Sequence, residues 1–401
     1  MGMGVTTGAV RMQNLDALRG FALFGLFIVH MPELFELYWL VPATDPFQLA
    51  VHNTVWLLLA GKAFALMALC FGVSFFILMD SAARRGGDFS LRFAWRLLLL
   101  GAMGLLHGLW YRGDILEVLA LMGLFLLPFH RVRSNRVLLV LAAVLLLQPL
   151  MLVQIVAGLQ GAEWANRTPA YWDIAINPLY ATGTLADTVR INLMEGHAQK
   201  WAFMYGSGRL SQILGLSLAG MVLGRTGFFS RPGAFARMRV AGLLLALAAA
   251  VLLYWLREPL AALVPAGEGM TMPRDRAWTI LGSLFDVSVM AVLLFGFMVL
   301  YHGPAQRVLG ALAPAGRMTL TLYVAQSLVC VPLFYGYGLG LYASMSQLQA
   351  VAWGLAGFAL QLGLAHLWFR HFLYGPLEWL WRAGTFLSPR VPFRRTRPAT
   401  A

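Results

Sequence analysis

The sequence predicts an all-α, polytopic membrane helix bundle of about ten transmembrane helices with both termini cytoplasmic. Three observations lead there. Of 401 residues, 60% are hydrophobic and only 12% charged, about half the charged share of a soluble domain, and mean hydropathy is +0.71. Apolar runs of the length a ~30 Å hydrocarbon core requires, roughly 20 residues each, recur along the whole chain. The arginines sit in short clusters between those runs, as in membrane loops, so the net charge of +13 does not call for nucleic acid.

The runs fall at 15–31, 54–79, 92–111, 114–130, 135–158, 201–224, 238–256, 278–301, 317–337 and 349–370. Connections at Tyr111–Gly113 and Arg131–Ser134 are so short that the spans they join must be antiparallel neighbours. The longest polar stretch, 159–200, reads as an extracytoplasmic loop with short helices. With the N-terminus inside, twenty basic residues fall on cytoplasmic segments and seven on the opposite side, the bias of the positive-inside rule. The chain then divides into a cytoplasmic segment 1–14, a transmembrane domain 15–382 and a basic tail 383–401. The first apolar run, behind Arg11, lacks a small-residue cleavage site and reads as an uncleaved span. Cys70 and Cys330 lie in apolar runs and form no metal or disulfide framework.

Ionisable groups inside spans are costly and usually face the bundle interior. Here they are Arg19, His30, Lys62, His107, Arg209 and Asp286, with Tyr323 and Gln326 beside them. Lys62, Arg209 and Asp286 each lie about eight residues from the outer end of a span, roughly 12 Å deep. With His107 and His30 they would place polar groups from five helices at one level, which suggests a shared cavity. Arg209 with Asp286, or Lys62 with Asp286, could equally be a buried ion pair that fixes helix register.

In "LDALRGFALFGLFIVH" (15–30), Arg19 and His30 are eleven residues apart. On a helix they share a face, about 16 Å apart along the axis. That spacing suits a ligand with anionic groups and a long thin arm, such as coenzyme A. Its phosphates would lie by Arg19, whose planar fork binds them in bidentate fashion, and its thioester by His30. A neutral imidazole there could take a proton from an attacking hydroxyl or amine.

Five blocks in order, "LDALRGFALFGLFIVH", "GKAFALMALCFGVSF", "GLLHGLWYRGDILEVLALMGLFLL", "GRMTLTLYVAQS" and "GPLEWLWR", resemble the YeiB-like family of bacterial integral membrane proteins. The first block is also similar to the lysosomal heparan-alpha-glucosaminide N-acetyltransferase and to bacterial polysaccharide O-acyltransferases. The resemblance implies a multi-pass protein of the bacterial inner membrane with a ten-helix core. It would move an acyl group, acetyl in the simplest case, from cytoplasmic acyl-CoA to an extracytoplasmic acceptor such as a sugar, a lipid or a small metabolite. The polysaccharide enzymes carry the same arginine–histidine spacing as Arg19 and His30; the YeiB-like pattern has asparagine in place of His30. By the same resemblance, His107 and Asp114 match family positions at the outer side, and Arg317 and Arg382 match cytoplasmic arginines that could help hold acyl-CoA phosphates. The expected catalytic set is thus His30, His107, Asp114 and Lys62, with Arg19, Arg317 and Arg382 for acetyl-CoA or another acyl-CoA as co-substrate. No metal is expected, and the likeness to the lysosomal enzyme would allow a homodimer. Two other readings compete: a transporter or exporter, against which stand the lack of an internal repeat and of paired broken helices, and a non-catalytic membrane partner.

Overall fold

The computed structural model describes residues 12–395 apart from 36, 41, 173–174 and 268. It is all-α, and its elements follow from the apolar runs and the residues that interrupt them. Helix α1 (Gln13–His30) passes into a π-helical turn, Met31–Phe35. Asp45 caps α2 (Pro46–Leu58) by accepting from the Gln48 N–H at 2.9 Å. Helices α3 (Lys62–Ala83) and α4 (Ser90–Trp110) follow, and the short turn after Trp110 folds α5 (Leu116–Leu126) back on α4 as an antiparallel hairpin. Next come α6 (Asn135–Leu146) and α7 (Pro149–Leu159).

The polar stretch contributes α8 (Glu163–Asn166), α9 (Asn177–Thr182), α10 (Leu185–Leu193) and α11 (Glu195–Gly206). The second half holds α12 (Arg209–Thr226), α13 (Ala236–Ala262), α14 (Met272–Tyr301), α15 (Gln306–Gly310) and α16 (Ala313–Arg317). It ends with α17 (Thr319–Phe334), α18 (Gln347–His371) and α19 (Pro376–Phe386).

Seven segments among the described residues are long and apolar enough to cross a membrane, and the α15–α16/α17 pair, bent by 78°, would make an eighth. Two of the ten expected spans fall outside that set. The run 114–130 shortens to α5 and a 3₁₀ turn at Leu127–Arg131, and the run 201–224 divides at Ser207–Gly208 into α11 and α12. The boundary expected at 382/383 lies inside α19. The chain past it folds back on what precedes it: Arg394 forms an antiparallel bridge with Phe372, and the Val391 carbonyl accepts from Trp379 Nε1 at 2.9 Å.

Burial orders the helices. Of the most apolar stretch of α1, 78% is buried, against 11% for the segment holding α13; α1 is therefore the axis and α13 the rim. Leucines and tryptophans exposed on α13, such as Leu245 and Trp255, are what a lipid-facing surface requires.

Helices α3 and α12 run parallel and meet backbone to backbone. A Cβ on Gly72 would lie 1.9 Å from the Ser217 carbonyl oxygen, and one on Gly220 would lie 2.1 Å from that of Leu69. Small residues allow such contact where no hydrophobic effect drives helices together. Gly72→Val should therefore lower stability by about 3 kcal/mol or more, read as a melting-point drop in detergent. Gly282→Ala, at a site open within 4 Å, should leave the melting point within a few degrees of wild type.

Candidate active site

Helix α1 carries both residues of its motif on one continuous helix, with His30 as its last residue before the π-turn. At the His30 end, three further elements bring polar groups to it. His107 comes from the last turn of α4, Asp114 from the α4–α5 turn, and Tyr323 and Ser327 from successive turns of α17. His107 Nδ1 is 2.7 Å from Asp114 Oδ1, and its Nε2 is 2.5 Å from Ser327 Oγ. Asp114 also caps α5, accepting from the Leu116 N–H at 3.0 Å. A carboxylate so held keeps the imidazole in one orientation, with Nδ1–H toward Asp114 and Nε2 toward the hydroxyl.

All three groups are buried: 7% of His107, none of Asp114 and 1% of Ser327 is exposed. Trp110 Nε1 donates to the Ser327 carbonyl at 3.1 Å, and the Tyr323 hydroxyl to the Gly113 carbonyl at 3.0 Å, so α17 is fastened to both sides of the turn.

His30 and His107 face the same two tyrosines. The His30 ring centroid is 5.8 Å from Tyr111 and 6.3 Å from Tyr323; for His107 the distances are 5.7 and 5.4 Å. The expected grouping of His30, His107 and Asp114 is thus present in space. Sequence reasoning missed Ser327 and Tyr111. A lone serine in an apolar helix carries no signal, and Tyr111 read as the end of a span.

Lys62 belongs to an adjacent ionic cluster. Its Nζ is 2.6 Å from Asp286 Oδ1 and donates to the Trp56 carbonyl at 3.0 Å. Arg209 Nη1 reaches the Gly61 carbonyl at 3.4 Å, and its guanidinium lies 5.1 Å from the Phe64 ring centroid. Glu33, on the π-turn three residues past His30, has Arg209 and Arg112 as charged neighbours.

The depth expected for Lys62 and Arg209 is corrected in one respect. Neither sits within an unbroken span: each is the first residue of its helix, behind a glycine at positive φ, Gly61 at +80° and Gly208 at +71°. A side chain at those φ values would be strained, so glycine is what permits both breaks. A third break lies alongside, where buried Gln148 adopts left-handed geometry and its amide donates to Ser283 Oγ at 3.2 Å. Two glycine breaks, not evident from the apolar runs, therefore lie beside each other. The signal that could have revealed them is a glycine before a basic residue, in "AGKAF" and again in "GSGRL".

The opposite end of the bundle gathers arginines. Arg96 has Arg382 and Arg19 as like-charge neighbours. Its guanidinium stacks 3.4 Å from the Trp381 ring centroid, while Trp381 Nε1 donates to the Arg96 carbonyl at 2.8 Å. The nearby carboxylate, Glu378, is committed to capping α17. It accepts from the Leu320 N–H at 2.7 Å, the Thr321 N–H at 3.1 Å and the Thr321 hydroxyl at 2.6 Å. Burial raises its carboxyl above the usual range, and those hydrogen bonds act against the rise.

Arg19 keeps a third of its side chain exposed, with Asp16 at 4.0 Å. Arg317 braces the fold at the start of α17. It stacks 3.6 Å from the Phe369 ring centroid and donates to the Leu373 carbonyl at 3.4 Å, which fastens the bend before α17 to the end of α18. Arg96, assigned by sequence to topology alone, takes the position beside Arg19 and Arg382. No group of three or more metal-ligating side chains occurs among the described residues.

Against this geometry, comparisons with known proteins return relatives of matching length. A family profile described as "Protein of unknown function (DUF418)" matches residues 223–388, which include Asp286, Ser327 and Glu378. The chain is similar to the uncharacterized protein YeiB of Escherichia coli, 27% identical over 419 aligned residues, covering 96% of this chain and 99% of the relative. It is also similar to the uncharacterized protein YxaH of Bacillus subtilis, 27% identical over 416 residues, covering 96% of this chain and 97% of the relative. The likeness to YeiB expected from the five sequence blocks thus extends along almost the whole chain.

Removing Asp286 leaves a buried ammonium ion without its partner. Asp286→Asn should cost roughly 3 kcal/mol, the low end for breaking a buried pair, because a quarter of the Asp286 side chain is open. Lys62→Met combined with Asp286→Leu should recover most of that loss, as measured by thermal melting in detergent.

Proposed function

We propose that this protein is a transmembrane acyltransferase of the bacterial cytoplasmic membrane. It takes an acyl group, acetyl in the simplest case, from cytoplasmic acyl-CoA and delivers it to an acceptor on the other side. The observation that carries the reading is the Asp114–His107 pair, which faces His30 across Tyr111 and Tyr323 at one end of α1. A carboxylate-oriented imidazole is the usual acid–base device of acyl transfer.

The other end supports the reading. Arg19, Arg96 and Arg382 form a cationic cluster in which Glu378 is already engaged as a helix cap and Asp16 stands 4.0 Å from Arg19, and arginines so gathered suit the phosphates of CoA. Arg19 and His30 on one helix set the ~16 Å that the pantetheine arm must span. In this reading the positive-inside bias places the arginine end and both termini in the cytoplasm. His107, held by Asp114, is the base; His30 hydrogen-bonds the incoming acceptor or the thioester. Lys62, paired with Asp286, shapes the neighbouring wall. Arg317 supports the cluster through the α17 bend.

The paired breaks at Gly61 and Gly208 favour a second reading, a transporter, since discontinuous helices commonly line substrate sites in such proteins. One experiment separates the two. Purified protein is titrated with acetyl-CoA by calorimetry while free thiol is followed over time. Arg19→Ala should weaken binding about tenfold or more, a lost charge-assisted contact being worth ~1.5–3 kcal/mol. His107→Ala should lower thiol release by about 10²–10⁴-fold with binding retained. Absence of acetyl-CoA binding, together with proton-dependent uptake of a solute into proteoliposomes, would establish the transporter instead.

A further inference from the structure

Two buried hydroxyls at the histidine end remain to be explained. Ser327 Oγ lies 2.5 Å from His107 Nε2 and 2.9 Å from the Val324 carbonyl. Its single proton can therefore rotate between the helix backbone and the imidazole. The Tyr111 hydroxyl belongs to a side chain only 1% exposed and has no hydrogen-bond partner among the described residues. Its ring stands 5.7 Å from that of His107 and 5.8 Å from that of His30. A buried donor left unpaired costs about 1–3 kcal/mol, so one at this place is best accounted for by an oxygen that arrives with a ligand.

We infer that Ser327 is a covalent acyl carrier, with His107 as its base, Asp114 as the orienting carboxylate and the Tyr111 hydroxyl as the oxyanion donor. This rests on the acyltransferase reading and assigns it a two-step path. In the first step Ser327 Oγ attacks the thioester carbonyl while its proton passes to His107 Nε2. The Tyr111 O–H donates to the oxygen that gains charge, where a preorganised donor is most effective. The C–S bond breaks, the sulfur takes the electron pair and the proton from Nε2, and free CoA thiol departs. Ser327 is left as an acyl ester.

In the second step an acceptor hydroxyl or amine gives its proton to Nε2 and attacks the ester carbon. Ser327 Oγ leaves with the bonding pair and regains that proton. The arrangement satisfies two geometric requirements for an activated nucleophile: base within hydrogen-bond reach and base oriented by a third group. It also explains why three helix segments, α4, the α4–α5 turn and α17, are tied together at this one point.

The test uses the full-length protein in detergent. It is mixed with acetyl-CoA without acceptor, quenched, digested and analysed by mass spectrometry, and in parallel treated with a fluorophosphonate probe that labels activated serines. The expected result is acetyl and phosphonate on Ser327, both lost in Ser327→Ala. Phosphonate labelling should fall about 10²-fold or more in His107→Asn. Tyr111→Phe should bind acetyl-CoA and melt like wild type yet acetylate about 10²-fold more slowly. Ser327→Cys, which preserves size, should carry the acetyl group as a hydroxylamine-sensitive thioester and guards against misfolding of the alanine variant.

Thiol release undiminished in Ser327→Ala, or acetyl found on His30 instead, overturns the carrier and leaves the acyltransferase reading intact. No thiol release from wild type, with Ser327 still taking the phosphonate, overturns the acyltransferase reading and leaves the activated serine. A wild-type protein that takes neither label overturns the inference.

Discussion

A membrane interior offers no water to satisfy polar groups, and each one left unpaired there costs several kcal/mol. That constraint governs the interior of this protein. His107 can sit between apolar helices because Asp114 and Ser327 take both its nitrogens. Lys62 can because Asp286 and the Trp56 carbonyl receive its ammonium. Three breaks in helical geometry, at Gly61, Gln148 and Gly208, are packed against polar groups of other helices or breaks: Asp286 and Arg209 lie against Gly61, the Gln148 side chain against Gly208, and Ser283 accepts from Gln148. Around His107 and Lys62 the polar side chains are gathered so that one satisfies another.

Helix α1 gives that gathering its direction. It is the most enclosed of the long helices, and its two ends meet different chemistry: arginines stacked on aromatic rings at one, imidazoles among tyrosines at the other. The elements that hold the ends are themselves fixed by backbone-level contacts. The meeting of α3 with α12 through Gly72 and Gly220 brings Lys62 beside Arg209, and the Glu378 cap sets the bend from which α17 carries Tyr323 and Ser327 inward. A change at the glycine contacts therefore reaches the polar centre although it touches no polar group.

Much of this was legible in the sequence, for a physical reason: charges in apolar runs are conspicuous. The all-α class and the alternative pairing of Lys62 with Asp286 follow from residues that stand out, while His107 and Asp114 together were marked as outer-side positions only by the family resemblance. What escaped notice was what looks ordinary. Ser327 is one hydroxyl among many, Tyr111 one aromatic at a helix end, and Arg96 one of a row of interfacial arginines until α19 folds back to place Arg382 beside it. The helix breaks were hidden because apolar periodicity continues through Gly61 and Gly208. One of the two expected spans that fall outside the candidates, 201–224, was hidden for the same reason, since a window of apolar residues does not register a φ of +71° at Gly208.

The central claim is that the two ends of α1 serve one reaction across the bilayer. Its most direct measurement uses proteoliposomes with the arginine end facing outward, sealed around a mixture of sugars and amino sugars. Acetyl-CoA labelled in the acetyl group is then supplied outside. The account predicts labelled acetylated sugar inside, with stoichiometric free CoA thiol remaining outside. Labelled acetyl-CoA found intact in the lumen, or product confined to the side of the donor, would contradict it.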